Sequence, residues 1–178
     1  MNPLNSVIWL SALIAVLAAA AAGAGLFWRS EGSPYPFTTL RGQTAQMYGQ
    51  EPYRYDTLFT GAGYKGQDAV VLFLGVPLLV LSIVLYRNGS TAGALLLTGM
   101  LGYFLYIYAS MALGAAYNRL FLLYVALLSA SLFAFIRLFA SIDLQALAPS
   151  VASGAPQRSL AIFLFASGLV TLVVWGAP

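Results

Sequence analysis

The segment Glu51-Pro52-Tyr53-Arg54-Tyr55-Asp56-Thr57 is the densest run of hydrogen-bonding side chains in the sequence. Two readings fit it. As a recognition patch, Arg54 pairs with a phosphate or carboxylate while Tyr53 and Tyr55 supply rigid amphipathic contact area. As ordinary interfacial structure, the tyrosines favour the lipid headgroup zone, Arg54 pairs with Asp56 or Glu51, and Asp56 caps a short turn over 57–60 that Gly61 ends. A second concentration, Tyr103, Tyr106 and Tyr108, is followed by Ser110, Tyr117, Asn118, Arg119 and Tyr124. At one membrane face these groups can form a polar pocket for a lipid headgroup or quinone ring, with Tyr106, Asn118 and Arg119 as its centre; an aromatic belt accounts for the same residues. The third chemistry is that of carboxylates. Glu51, Asp56 and Asp68 do acid–base work if they meet in environments that separate their pKa values. Spacing alone does not bring them together, and Asp68, directly before an apolar run, reads as a helix N-cap.

The composition excludes most other chemistry. There is no Cys, hence no disulfide, thiolate nucleophile or cysteine-ligated metal, and no His, hence no imidazole ligand for haem or zinc and no Ser-His-Asp triad. No cofactor and no metal site is expected. Eight basic and five acidic residues are too few for the basic surface that nucleic acid requires. With 61% hydrophobic and 7% charged residues and a mean hydropathy of +0.85, the chain belongs in a bilayer.

A hydrocarbon core about 30 Å thick needs roughly 20 apolar residues in a helix. Five segments qualify or come near: 4–27, 69–86, 91–111, 120–139 and 160–175, the last of them short. The first ends in an Ala/Gly run, with pairs such as Ala19/Gly23 and Ala21/Gly25, and the fourth carries Ala126, Ala130 and Ala134. Both predict small-residue packing faces. Gly75 and Pro77 predict a break in the second span, and Arg87-Asn88-Gly89-Ser90 predicts a tight hairpin into the third. The region 140–159 reads as a loop. The chain closes on Gly176-Ala177-Pro178 without a polar tail, which suggests a fragment, a further span or a terminus docked on a partner.

The polar residues gather in the loop 29–67, which holds Glu31, Glu51 and Asp56, four of the basic residues and five tyrosines. After the stiff Pro34 and Pro36, residues Phe37, Leu40, Thr44, Met47 and Tyr48 recur at helical spacing, predicting an interfacial amphipathic helix. The Lys/Arg tally, taken literally, favours a cytoplasmic first loop, and restricted to residues near the spans it is almost neutral. The length and balanced charge of the loop point the other way, to a cytoplasmic N-terminus.

At Tyr53-Arg54-Tyr55-Asp56-Thr57, at Tyr103 to Ser110 and at Tyr117-Asn118-Arg119-Leu120-Phe121, the chain resembles multi-pass inner-membrane proteins of bacteria whose function is uncharacterised. The resemblance implies a bacterial cytoplasmic membrane and a helical fold, with members that continue past the end of this chain; it brings no activity and no catalytic residue. The sequence therefore predicts an all-α, polytopic transmembrane helical bundle of about five spans with one structured extramembrane loop. Its expected role is non-enzymatic, that of a structural or accessory subunit. Loop 29–67 would bind lipid, a membrane-protein partner or a second copy, through Tyr53, Arg54, Tyr55 and Asp56, joined by Tyr106, Asn118 and Arg119. A small permease or lipid/quinone carrier, and a carboxylate-based intramembrane enzyme, are the alternatives.

Overall fold

A computed structural model describes residues 3–28, 30–143 and 157–176. The chain divides into two compact units, Met1–Ser141 and Ile142–Pro178. In the first, α1 (Pro3–Phe27) leads through a two-stranded sheet, β1 (Tyr35–Thr38) and β2 (Thr44–Met47), to α2 (Leu58–Val70), a π-helical turn (Val71–Gly75) and α3 (Val76–Arg87), then α4 (Thr91–Gly114) and α5 (Phe121–Phe139). The second unit contains α6 (Gln157–Gly176). Four helices are long and apolar enough to cross a membrane, Asn5–Phe27, Leu58–Arg87, Thr91–Gly114 and Phe121–Phe139, while the apolar stretch Arg158–Val173 of α6 is shorter. Most of the expected loop at 140–159 lies outside the described residues.

Packing follows from the spacing of small and apolar residues. In α5 the buried positions are Tyr124, Leu127, Ser131, Ala134 and Leu138, a helical stripe of three- and four-residue steps. In α4 they include Leu97, Leu101, Phe104, Tyr108 and Met111. Helix α4 packs against α3 and α5, and α1 against α5 and the α2–α3 helix, so the four long helices close a ring around one core. In α1 the inner face is Ser11, Ile14, Ala15, Ala18, Ala21 and Ala22. The alanine stripe expected on α5 is only partly inward, because Ala134 is buried while Ala126 faces out.

The second helix departs most from the sequence reading. It starts at Leu58 rather than near 69, with Thr57 as its N-cap: the Thr57 hydroxyl accepts from the Thr60 N–H at 3.3 Å. Asp68 is therefore no cap, and it lies within the helix, buried. Gly61, Gly63 and Gly66 make this stretch a poor helix by propensity, since each costs about 1 kcal/mol relative to Ala. Tertiary packing overrides that cost at Gly61, where a Cβ would collide with the Tyr48 ring. The break expected at Gly75 and Pro77 takes the form of the π-helical turn, and Gly75 lies under the Tyr103 and Phe104 rings of α4.

No amphipathic helix forms over 37–48. Tyr35 pairs with Met47 and Thr38 with Thr44 in an antiparallel hairpin whose turn places Gly42 at φ +78°. A left-handed glycine ends any helix there, and the threonine hydroxyls face each other across the strands at 3.3 Å. The helical spacing of the apolar residues was satisfied by too few turns to decide against the strand geometry.

Helices α3 and α4 meet through Gly89 at φ +75° and the Ser90 cap, whose hydroxyl accepts from the Gly93 N–H at 3.2 Å. A Cβ on Gly93 would strike the backbone of Leu85 and Tyr86, whereas one on Gly99 would meet nothing within 4 Å. Gly93→Ala should cost about 1–3 kcal/mol by overpacking. Gly99→Ala, a neutral to mildly stabilising control, should gain up to about 1 kcal/mol. Thermal unfolding of the two variants in detergent checks this, and equal melting points would contradict the close approach.

Candidate functional site

The residues 30–57 form a cap at the end of the bundle where α1 and α4 finish and α5 begins. Its second half is a tight excursion: Tyr48 N–H donates to the Asp56 carbonyl at 2.9 Å, Gly49 N–H to the Arg54 carbonyl at 3.2 Å, and Asp56 N–H to the Tyr53 carbonyl at 3.0 Å. Gly32 and Gly49 let two backbone segments cross, since a Cβ on either would collide with the other segment's main chain. The Glu51 N–H donates to Ser30 Oγ at 3.0 Å.

This excursion separates its polar side chains into two sets. Tyr53 and Asp56 turn inward. The Tyr53 side chain is completely buried, its hydroxyl donates to Asp68 Oδ2 at 2.5 Å, and it lies 3.4 Å from the Tyr124 hydroxyl. Its ring tilts on Tyr64 at 5.4 Å, and Tyr124 stacks in turn on Tyr108. Gly25 of α1 supplies the fourth wall, because a Cβ there would occupy the space of the Asp68 carboxyl and the Tyr53 hydroxyl. Burial, with the Asp68 carboxyl and Tyr124 adding to it, pushes the Tyr53 hydroxyl far above the ordinary phenol range, so it stays a donor.

Asp56 makes the second tie. Its Oδ1 accepts from the Ala116 N–H at 2.9 Å, just past the end of α4, while its Oδ2 has no hydrogen-bond partner among the described residues. It is thus neither the cap of a turn at 57–60 nor the partner of Arg54, whose guanidinium instead lies 5.8 Å from the Tyr55 ring centroid. Burial raises the Asp56 carboxyl above its ordinary pKa, and the Ala116 N–H opposes that only in part.

The outward set lines a cleft of about 340 Å³ between the cap and the start of α5, formed by Glu51, Pro52, Tyr55, Tyr117, Asn118, Arg119, Phe121 and Leu122. Of the residues singled out from sequence, Glu51, Tyr55, Tyr117, Asn118 and Arg119 meet here. Asn118 is committed to the turn: its Oδ1 accepts from the Leu120 N–H at 2.9 Å and its Nδ2 donates to the Ala116 carbonyl at 3.1 Å. Arg119 packs its guanidinium over Trp28 at 5.8 Å, and Tyr117 tilts on Phe121 at 5.2 Å. A neighbouring cleft of about 410 Å³ is lined by Trp28, Ser30, Glu31 and Gln50.

Tyr106 stands apart, 70% exposed on the outer face of α4 and absent from the lining of either cleft. The carboxylates divide as well: Glu51 lines the outer cleft, whereas Asp56 and Asp68 face the interior with separate partners. Sequence reasoning missed Asp68 as an interior carboxyl, together with Gly25 and Trp28, because the glycines of α2 hid the helix that carries Asp68. Thr57 followed by Leu58 and Phe59 was the available signal for an earlier start. Among the described residues no group of three or more Asp or Glu could hold a metal ion.

No known protein family, curated protein or solved structure matches the chain. The helices themselves define the class: this is a helical membrane protein, with a small two-stranded sheet outside its long apolar helices.

Tyr53→Phe leaves Asp68 Oδ2 without its donor, which should cost about 1–3 kcal/mol of stability. Unfolding in detergent reads this directly, and a loss under about 0.5 kcal/mol, within the range of surface changes, would count against the tie. Asp56 gives a pH dependence of determined sign. Its folded pKa is raised, so its favourable contribution is complete below the unfolded value of about 3.9 and is lost as pH rises through the folded value. Asp56→Asn keeps the Oδ1 acceptor without titrating. The melting temperature of the variant should therefore gain on that of the parent as pH rises, and a pH-independent difference would contradict this.

Proposed function

We propose that this chain is a non-enzymatic membrane protein, a structural or accessory subunit, that binds a lipid headgroup in the cleft between its cap and α5. The observation that carries the reading is the composition of that cleft: one arginine, two tyrosines and the apolar Phe121 and Leu122, alongside Glu51, Pro52 and Asn118, at the end of a bundle of apolar helices. Arginine binds phosphate through paired N–H donors, and its packing on Trp28 holds the guanidinium in place at little entropic cost. Tyrosine and tryptophan favour the headgroup level, where the ring is apolar on one side and hydrated at its hydroxyl or N–H. Leu122 is exposed at the cleft's edge and continues onto the outward face of α5, where Phe133 and Ile136 are also exposed, a surface suited to acyl chains.

At about 340 Å³ the cleft is at the small end of the roughly 300–1,000 Å³ typical of ligand sites, a size for a headgroup rather than a whole lipid. The hairpin carries Phe37 and Leu40 exposed, apolar contacts for the same lipid surface or for a membrane partner. The bacterial cytoplasmic membrane, with the N-terminus inside, is the setting proposed with this role.

Purification in nanodiscs of mixed phospholipids followed by native mass spectrometry tests the reading. The parent protein should retain about one lipid per chain, and Arg119→Gln should lower retention roughly three- to tenfold, the loss of a charge-assisted contact at a partly exposed site. Equal retention by the two proteins would overturn it.

A further inference from the structure

The cleft contains both signs of charge. Arg119 brings a guanidinium from the turn before α5 and Glu51 a carboxylate from the cap, and both line the cleft together with Pro52, Tyr55 and Tyr117. Among the described residues no ion pair or hydrogen bond occupies the Glu51 carboxylate or joins it to Arg119. The backbone fixes both positions. The Glu51 N–H is held by Ser30, and the 116–120 turn is held by Asn118 and by Asp56.

A site for a purely anionic headgroup has no use for a carboxylate in its wall, since a like charge at this range opposes binding. A headgroup with a phosphate at one end and an ammonium at the other satisfies both residues at once. The tyrosines suit the same ligand, because an aromatic face attracts an ammonium or quaternary nitrogen. We propose, resting on the headgroup reading above, that the cleft selects zwitterionic phospholipids, with Arg119 on the phosphate, Glu51 on the ammonium and the rings of Tyr55 and Tyr117 flanking it.

The test uses the full chain in nanodiscs made of equal parts phosphatidylethanolamine, phosphatidylcholine and phosphatidylglycerol, with the retained lipids identified by native mass spectrometry. The parent should enrich the two zwitterionic lipids over phosphatidylglycerol. Glu51→Gln removes the ammonium partner and the repulsion of anions together, and should lower that enrichment roughly three- to fivefold while total lipid retention persists. Arg119→Gln should lower retention of all three lipids. Melting curves of both variants establish that they fold. If Arg119→Gln strips the lipid but Glu51→Gln leaves the preference unchanged, the zwitterion assignment is overturned and the headgroup reading stands. If Arg119→Gln retains lipid as the parent does, both fall.

Discussion

A carboxyl inside a helix bundle that crosses a membrane must find partners there, and the arrangement around Asp68 is the constraint on which the rest of this structure depends. The Tyr53 hydroxyl answers it from the cap, and Gly25 by having no side chain in the way. Each belongs to a different stretch of chain, so satisfying one carboxyl fixes the distance of α1 from α2 and seats the cap upon both. Tyr124 extends the contact to α5 and, by stacking on Tyr108, to α4. A polar requirement of one residue thus sets the relative placement of every long helix in the first unit.

The outer cleft is a product of the same interior ties. With Tyr53 drawn inward, its neighbours Arg54 and Tyr55 are turned outward, and Asp56, drawn inward again, reaches the backbone at Ala116. That bond brings the 116–120 turn beside the 51–55 excursion. The cleft is the gap between two backbone turns tied to each other through Asp56, with Glu51 held besides by Ser30 and Arg119 by the Asn118 turn. A ligand binding there would find most of the ordering cost already met by folding.

Much of the fold was legible because hydrophobic length is a strong signal in a membrane chain. The runs at 4–27, 91–111 and 120–139 and the Asn88-Gly89-Ser90 turn needed only hydropathy and turn chemistry. The start of α2 was not legible, since three glycines in six residues argue locally for a loop and only the Tyr48 ring against Gly61 reverses the balance. The hairpin failed for a related reason: five residues at helical spacing, one of them Thr44, cannot outvote a left-handed glycine that the sequence does not announce. For the site, residue type singled out Tyr55, Asn118 and Arg119, and these three share one cleft. The division of Tyr53 and Asp56 from Tyr55 was invisible, because it depends on which way a non-repetitive turn presents its side chains, and that is decided by partners as distant as Ala116 and Tyr124.

That distance along the chain has a consequence for biosynthesis. Tyr53 and Tyr124 are 71 residues apart, and Asp56 and Ala116 are 60. At ribosomal speeds of about 5–20 residues per second, roughly 4–14 s separate the emergence of Tyr53 from that of Tyr124. During that interval the cap has its hairpin and its α1 and α2 neighbours but not the walls supplied by α4 and α5. The final closure of the cap therefore reports that the last two helices of the unit have been inserted and packed.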